Sequence, residues 1–242
     1  MIRARKAVVS NASVWDTQRL LPKAVRESSS TAVRRWMDRS RGTRPCDSFL
    51  HLHLGMDASG LPDDLECHHV VVGSWDRGVE AENNVVVTSI PSVFDKSLAP
   101  AGKHVVHCYA AGNEPYSHWE GLRPGSAEYE RLKEERSQVL WRALERFIPD
   151  VRARTEVAMV GTPLTHERFL RRHRGSYGPA IQHGSGDSFP GPQTPILGLW
   201  VCGDSVQPGI GLPAVAASGM IAANTMSPVW KQLELMDYLG KP

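Results

Sequence analysis

Asp204, Gly209, Gly211 and Pro213 are the residues of this chain whose types and spacing best suit chemistry. They lie in Leu199-Trp-Val-Cys-Gly203-Asp204-Ser-Val-Gln-Pro-Gly209-Ile-Gly211-Leu212-Pro213-Ala-Val-Ala-Ala-Ser-Gly219. The pattern is a short apolar strand, an acidic residue at its tip, a glycine turn, and a helix opening at Pro213. Proline is favoured at the first helical position, and a first turn leaves several backbone N–H groups without internal partners. Glycines before it let an anionic or electron-rich group come close to those donors. Small residues at helical spacing (Ala214, Ala217, Ser218 and Ala222) let one helix face lie nearly flat on a neighbour or a ring. Gly209-x-Gly211-x-x-Ala214 also fits the loose dinucleotide fingerprint, which is weak alone. A first βαβ unit needs a following strand and an acidic residue about 20 positions on. Glu234 has that spacing, but no strand follows it. The plain alternative is a strand–turn–helix connection with no ligand.

Three further groupings could carry chemistry. His51-Leu-His53 places two imidazoles on one strand face, but spacing supplies no third ligand, so no metal is assigned. Asn113-Glu114-Pro115-Tyr116 reads as turn chemistry. Between Gly161 and Pro179 a helix is expected from Thr162-Pro163 to about Arg172. Arg171, Arg172 and His173 would complement its C-terminal dipole, and Gly175 would close it. That account leaves Tyr177, between two glycines, unexplained.

The elements that must position these residues follow from periodicity. Candidate strands are Phe49–Leu54, His69–Trp75, Val85–Ile90, His104–Ala110 and Glu156–Val160, separated by Gly, Pro and Asn turn signals. Leu50, Leu52 and Leu54 alternate with His51 and His53, as on a half-buried strand. Glu128–Ile148 is the one long helix, with an apolar stripe of Tyr129, Leu132, Val139, Leu140, Ala143, Leu144 and Phe147, Ser126 as N-cap and Pro149 as stop. Arg26–Arg44 reads as a basic, loop-like, solvated stretch. Strands followed by helices predict an α+β fold with a mainly antiparallel sheet. The 242 residues are 41% hydrophobic and 22% charged, which suits a globular protein with a proper core. A net charge of +2 gives no reason to expect nucleic acid as a partner. The four cysteines are scattered without a CxxC pair, as buried thiols rather than a disulfide framework or zinc site. No apolar run approaches the roughly 18 residues of a membrane span. The basic N-terminus runs directly into Ala7-Val8-Val9, a strand rather than a targeting address.

Six segments together resemble one family. Ser10-Asn11-Ala12-x-x-Trp15-Asp16-Thr17, His51-Leu-His-Leu-Gly55, Ser89-Ile-Pro-Ser92, Ala111-Gly-Asn-Glu-Pro-Tyr116, Gly161–Pro179 and Val201–Gly219 occur in the order found in plastid-type carotenoid (prolycopene) isomerases. These belong with the phytoene desaturases among FAD-dependent oxidoreductases, and the match covers nearly the whole chain. The resemblance implies a cis-to-trans isomerisation of prolycopene by reduced FAD without net redox change. It implies a carotenoid partner, a plastid location and peripheral membrane contact. Gly203, Asp204, Gly209, Gly211, Leu212 and Pro213 would hold the flavin, with Asp204 on the ribityl or phosphate side and the amides of the turn at the pyrimidine edge. His173, Arg174 and Tyr177 would line the flavin face. The implied organisation is a flavin-domain strand over residues 1–16, a substrate domain over 17–190 and a C-terminal flavin segment over 191–242. The Gly-x-Gly-x-x-Gly half of the family enzyme is not in these residues, so a fragment, a truncated gene or a paralogue lacking that domain is expected. Carotenoid desaturase, retinol saturase-like enzyme, and a flavin-free binding or structural remnant are the alternatives.

Overall fold

The computed structural model describes residues 3–181 and 188–240. In chain order the elements are β1 (Val8–Ser10), α1 (Val14–Leu20), α2 (Lys23–Arg26), α3 (Thr31–Gly42), β2 (Ser48–Asp57), β3 (His68–Val72), β4 (Val85–Ser89), β5 (Lys103–Glu114), α4 (Ala127–Leu144), α5 (Val151–Arg154), β6 (Thr155–Gly161), α6 (Pro163–Leu170), β7 (Leu199–Val201), α7 (Leu212–Met226) and α8 (Val229–Leu239). They form two compact units, one of Met1–Pro45 with Tyr177–Pro242 and one of Cys46–Ser176. The fold is α+β with an antiparallel sheet, as expected. Among the described residues, no helix is long and apolar enough to cross a membrane.

In the first unit the two ends of the chain meet. β1 pairs with β7 in parallel, Val8 opposite Leu199 and Ser10 opposite Val201. The units change over at residues 45/46 and 176/177, not at the expected 16/17 and 190/191. The helices after β1 explain the difference. The Val14 N–H donates to the Ser205 hydroxyl at 3.1 Å, and Gln18 Nε2 donates to the Met37 carbonyl at 3.0 Å, so α1 and α3 fold with β7. The loop expected over Arg26–Arg44 is corrected here, since α3 occupies most of it. Val33, Met37 and Ser40 repeat at helical spacing and are buried, a narrow stripe hidden among arginines, and the Ser30 side chain caps the Val33 N–H. At the other end of the unit, α8 has no buried residue, and Trp230, Leu233, Met236 and Tyr238 are exposed.

The second unit is built on a five-stranded sheet in the order β3-β4-β5-β2-β6. β2 lies between β5 and β6, antiparallel to both. Its alternation sends Leu50, Leu52, Leu54 and Met56 into the core with Val106, Cys108 and Ala110 of β5. α4 covers this face with Tyr129, Leu140, Trp141, Ala143 and Leu144, and Ser126 caps it by accepting the Tyr129 N–H. The helix ends at Leu144, four residues before the expected Ile148. A residue before proline disfavours helical geometry, so the chain unwinds ahead of Pro149 while Ile148 stays buried. β3 ends at Val72 rather than Trp75, because the Asn84 side chain binds both the N–H and the C=O of Ser74.

The 111–116 stretch is more than a turn. Glu114 closes β5 with no exposed surface, which corrects the turn-only reading. Trp119 Nε1 donates to its Oε1 at 2.7 Å, and Asn83 Nδ2 donates to its Oε2 at 2.6 Å. The Arg136 guanidinium from α4 completes the set, donating from one terminal nitrogen to Oε2 at 2.8 Å and from Nε to Oε1. Removing one partner of such a pair strands the other charge away from water. Glu114→Ala should therefore lower unfolding stability by about 3–5 kcal/mol, read as a fall in the urea midpoint. Glu135→Ala, which removes an exposed partner of Arg131, should leave the midpoint unchanged.

Candidate functional site

The glycine turn sits where β1, β7 and α7 meet. β7 leaves its pairing at Cys202, whose N–H donates to the Ser10 carbonyl at 2.9 Å. Gly203 follows with φ +104°, and a Cβ there would meet the Asn11 carbonyl oxygen at 3.4 Å. Its N–H donates to the Ser218 hydroxyl at 2.6 Å, and that hydroxyl donates to the Val215 carbonyl at 3.1 Å. One buried serine on the small-residue face of α7 thus fixes the helix against the strand tip. Asp204 is buried directly after this link.

The two glycines of the turn differ in their surroundings. Gly209, at φ +119°, has the Phe189 ring 2.7 Å from where its Cβ would stand. Gly211, the N-cap of α7 at φ +107°, would meet nothing within 4 Å. No side chain caps the first turn of α7, Pro213 stands within it, and Leu212 is 83% exposed. Open space before uncapped backbone donors suits the electron-rich edge of a ring. The same unit encloses a cavity of about 590 Å³ lined by Trp36, Arg39, Arg44, Cys202 and Ser205. That volume is in the range of small-molecule sites, with two guanidinium groups on its wall.

The structure brings some of the expected site residues together. Gly203, Asp204, Gly209, Gly211, Leu212 and Pro213 form one corner. Tyr177 belongs to the same unit, and its neighbour Gly178 lies against the Asp204 carbonyl and the Ile210 side chain, each 3.1 Å from a Cβ built there. His173 and Arg174 lie in the second unit, in a single 3-10 turn. Arg174 pairs with Glu120 at 2.8 Å and lies 5.0 Å over the Tyr116 ring. The helix before them ends differently from the expectation: α6 stops at Leu170, and Arg171, in left-handed geometry at φ +55°, closes it rather than Gly175.

A second grouping was only half visible in the sequence. β2 carries His51 and His53 on the face away from the core, and the β2–β5 register sets His107 opposite His53. His51 Nδ1 and His107 Nε2 share a hydrogen bond of 2.6 Å, and the His166 ring from α6 meets His51 edge-on with centroids 4.8 Å apart. Phe49 and Tyr109 extend the aromatic layer beside His51. Burial lowers the His51 pKa to about 3, with help from the His166, His107 and His53 imidazoles. Burial likewise lowers His107 and His166 to about 4 each. These rings are neutral at neutral pH. Alternation along β5, where His107 and Tyr109 flank Cys108, was the signal available for the third imidazole; the register that brings it to His53 was not.

Comparison with known proteins places the chain. No family model matches it. It is 34% identical over 232 residues to the chloroplastic prolycopene isomerase of Arabidopsis thaliana, covering 92% of this chain and 36% of that protein. The chloroplastic prolycopene isomerase of Daucus carota is 33% identical over 231 residues, covering 92% and 35%. A pyridine nucleotide-disulfide oxidoreductase domain-containing protein 2 of Mus musculus is 28% identical over 160 residues, covering 62% and 26%. Among solved structures, an oxidoreductase from Methanosarcina mazei superposes with a TM-score of 0.55 at 19% identity, covering 93% of this chain and 44% of that one, a likeness of fold. The six segments that carry the resemblance thus sit within a match to prolycopene isomerases along nearly the whole chain, and the chain spans little more than a third of the length of the plant enzymes.

Proposed function

We propose that this chain provides part of a FAD-dependent carotenoid isomerase of plastids, acting on prolycopene to give all-trans-lycopene. The observation that carries the reading is the identity of 33–34% to chloroplastic prolycopene isomerases over 92% of the chain. Support comes from the open, uncapped turn at Gly211 and the buried Asp204 beside it. Rotation about a conjugated double bond requires its bond order to fall in the transition state. Reduced FAD, when bound, supplies the electron density for that.

The protein's share is binding and electrostatics. The amides of Leu212 and Ala214 offer N–H groups to negative charge at the pyrimidine edge, while Pro213 fixes the start of the turn without needing a partner. Gly203, Gly209 and Gly211 keep side chains out of the approach, and Asp204 accepts hydrogen bonds from hydroxyls on the ribityl side. Tyr177, in the same unit as this corner, lines the ring face. The polyene dissolves in membranes, so the assembled enzyme meets a membrane surface peripherally.

The test uses the chain joined to a flavin-binding half that carries Gly-x-Gly-x-x-Gly, with FAD, dithionite and prolycopene in liposomes, scored by flavin fluorescence quenching and by chromatography of lycopene isomers. Gly211→Val should abolish both signals, because a β-branched side chain would fill the open space and resist a φ of +107°. Asp204→Ala should weaken flavin binding roughly ten- to a hundredfold, the loss of one charge-assisted hydrogen bond. Isomerisation without flavin, or a fully active Gly211→Val variant, would overturn the assignment. A product that has lost or gained hydrogen would favour the desaturase or saturase reading instead.

A further inference from the structure

The flavin reading leaves the imidazole layer on β2 and β5 without a role. His51 and His53 are two residues apart on one strand and share its outer face, and the antiparallel register brings His107 across from His53. Each ring offers one nitrogen, and the three atoms lie within 4.8 Å of one another. His51 Nδ1 already faces His107 Nε2 at 2.6 Å, so two of the three rings turn nitrogens toward each other across the strands.

We propose that His51, His53 and His107 form a binding site for a divalent transition-metal ion, with zinc or cobalt best matched. Three neutral imidazoles suit these ions, and with no carboxylate or thiolate in the set, calcium and magnesium are disfavoured. Two ligands from one strand and a third from its neighbour leave the fourth position open. His53 is exposed, so that position faces solvent and takes water or an electron-rich group. Metal–nitrogen bonds of about 2.0–2.1 Å in a tetrahedron set neighbouring nitrogens about 3.3 Å apart. The His51–His107 contact must therefore open from 2.6 Å, and the farthest pair must close from at most 4.8 Å. The ring planes lie within 6° of one another, so their in-plane lone pairs run side by side, and binding requires the rings to turn about their side-chain torsions until the nitrogens meet at one ion.

The test is titration of the untagged, chelator-treated chain with Co²⁺ alone, without flavin, followed by equilibrium dialysis and visible absorption. The expected result is one ion per chain with the strong d–d bands of tetrahedral cobalt. Loss of a ligand exceeds the 10–100-fold effect of losing an outer partner, so His53→Ala and His107→Ala should each weaken binding about a hundredfold or more. His68→Ala, on the exposed edge strand, should bind as the parent does. Absence of saturable one-to-one uptake, or uptake indifferent to His53→Ala, overturns the proposal. His53 is solvent-exposed, so its variant decides the matter even where circular dichroism shows that His107→Ala has lost its fold.

Discussion

A slip of one residue between β2 and β5 would exchange the two faces of the central sheet. Leu50, Leu52, Leu54 and Met56 would turn outward and the imidazoles of His51 and His53 would turn into the core, because side chains alternate with a period of two. The second unit depends on this register more than on any other feature. It sets the apolar face that α4 covers, and the same pairing lines up His107 with His53. Glu114 stands at the far end of the pairing, opposite Ser48, where Arg136, Trp119 and Asn83 hold its carboxylate. A buried charge with dedicated donors tolerates no displacement of the strand, so the ion pair contributes definition of register as well as stability.

The first unit rests on a smaller device. Its two-stranded parallel pairing is three residues long and would be marginal in isolation. The Ser218 hydroxyl joins the tip of β7 to α7, and the Ser205 hydroxyl joins the residues after β7 to the start of α1. Both serines are buried, so these bonds are shielded from competing water. The glycine turn is thus held from both sides while its first helical turn is left without a cap.

Strands and the long helix were legible because their apolar residues recur at periods of two and of about 3.6, and these patterns are local. α3 was not legible, because Val33 and Met37 are its only strongly apolar buried residues among the four arginines of the helix, too thin a stripe to stand out in composition. Glu114 was read as a turn residue because its partners Asn83, Trp119 and Arg136 come from three separate segments that only the tertiary fold unites. The same limit applied to His107, for which the strand was legible and its partner across the sheet was not. The corner from Gly203 to Pro213 was legible because every part of it lies within eleven consecutive positions, where glycines admit positive φ and prolines fix φ locally.

α8 differs from every other long helix in the protein, since none of its residues is buried. Its amides are protected only by the helix's own hydrogen bonds, and a helix of this length has little stability alone. Its local opening free energy is near zero, while β2, paired on both sides and covered by α4, opens only with the global unfolding of its unit. Amide exchange should accordingly be complete along α8 before it is measurable in β2, and limited proteolysis should release the last helix while leaving the sheet whole.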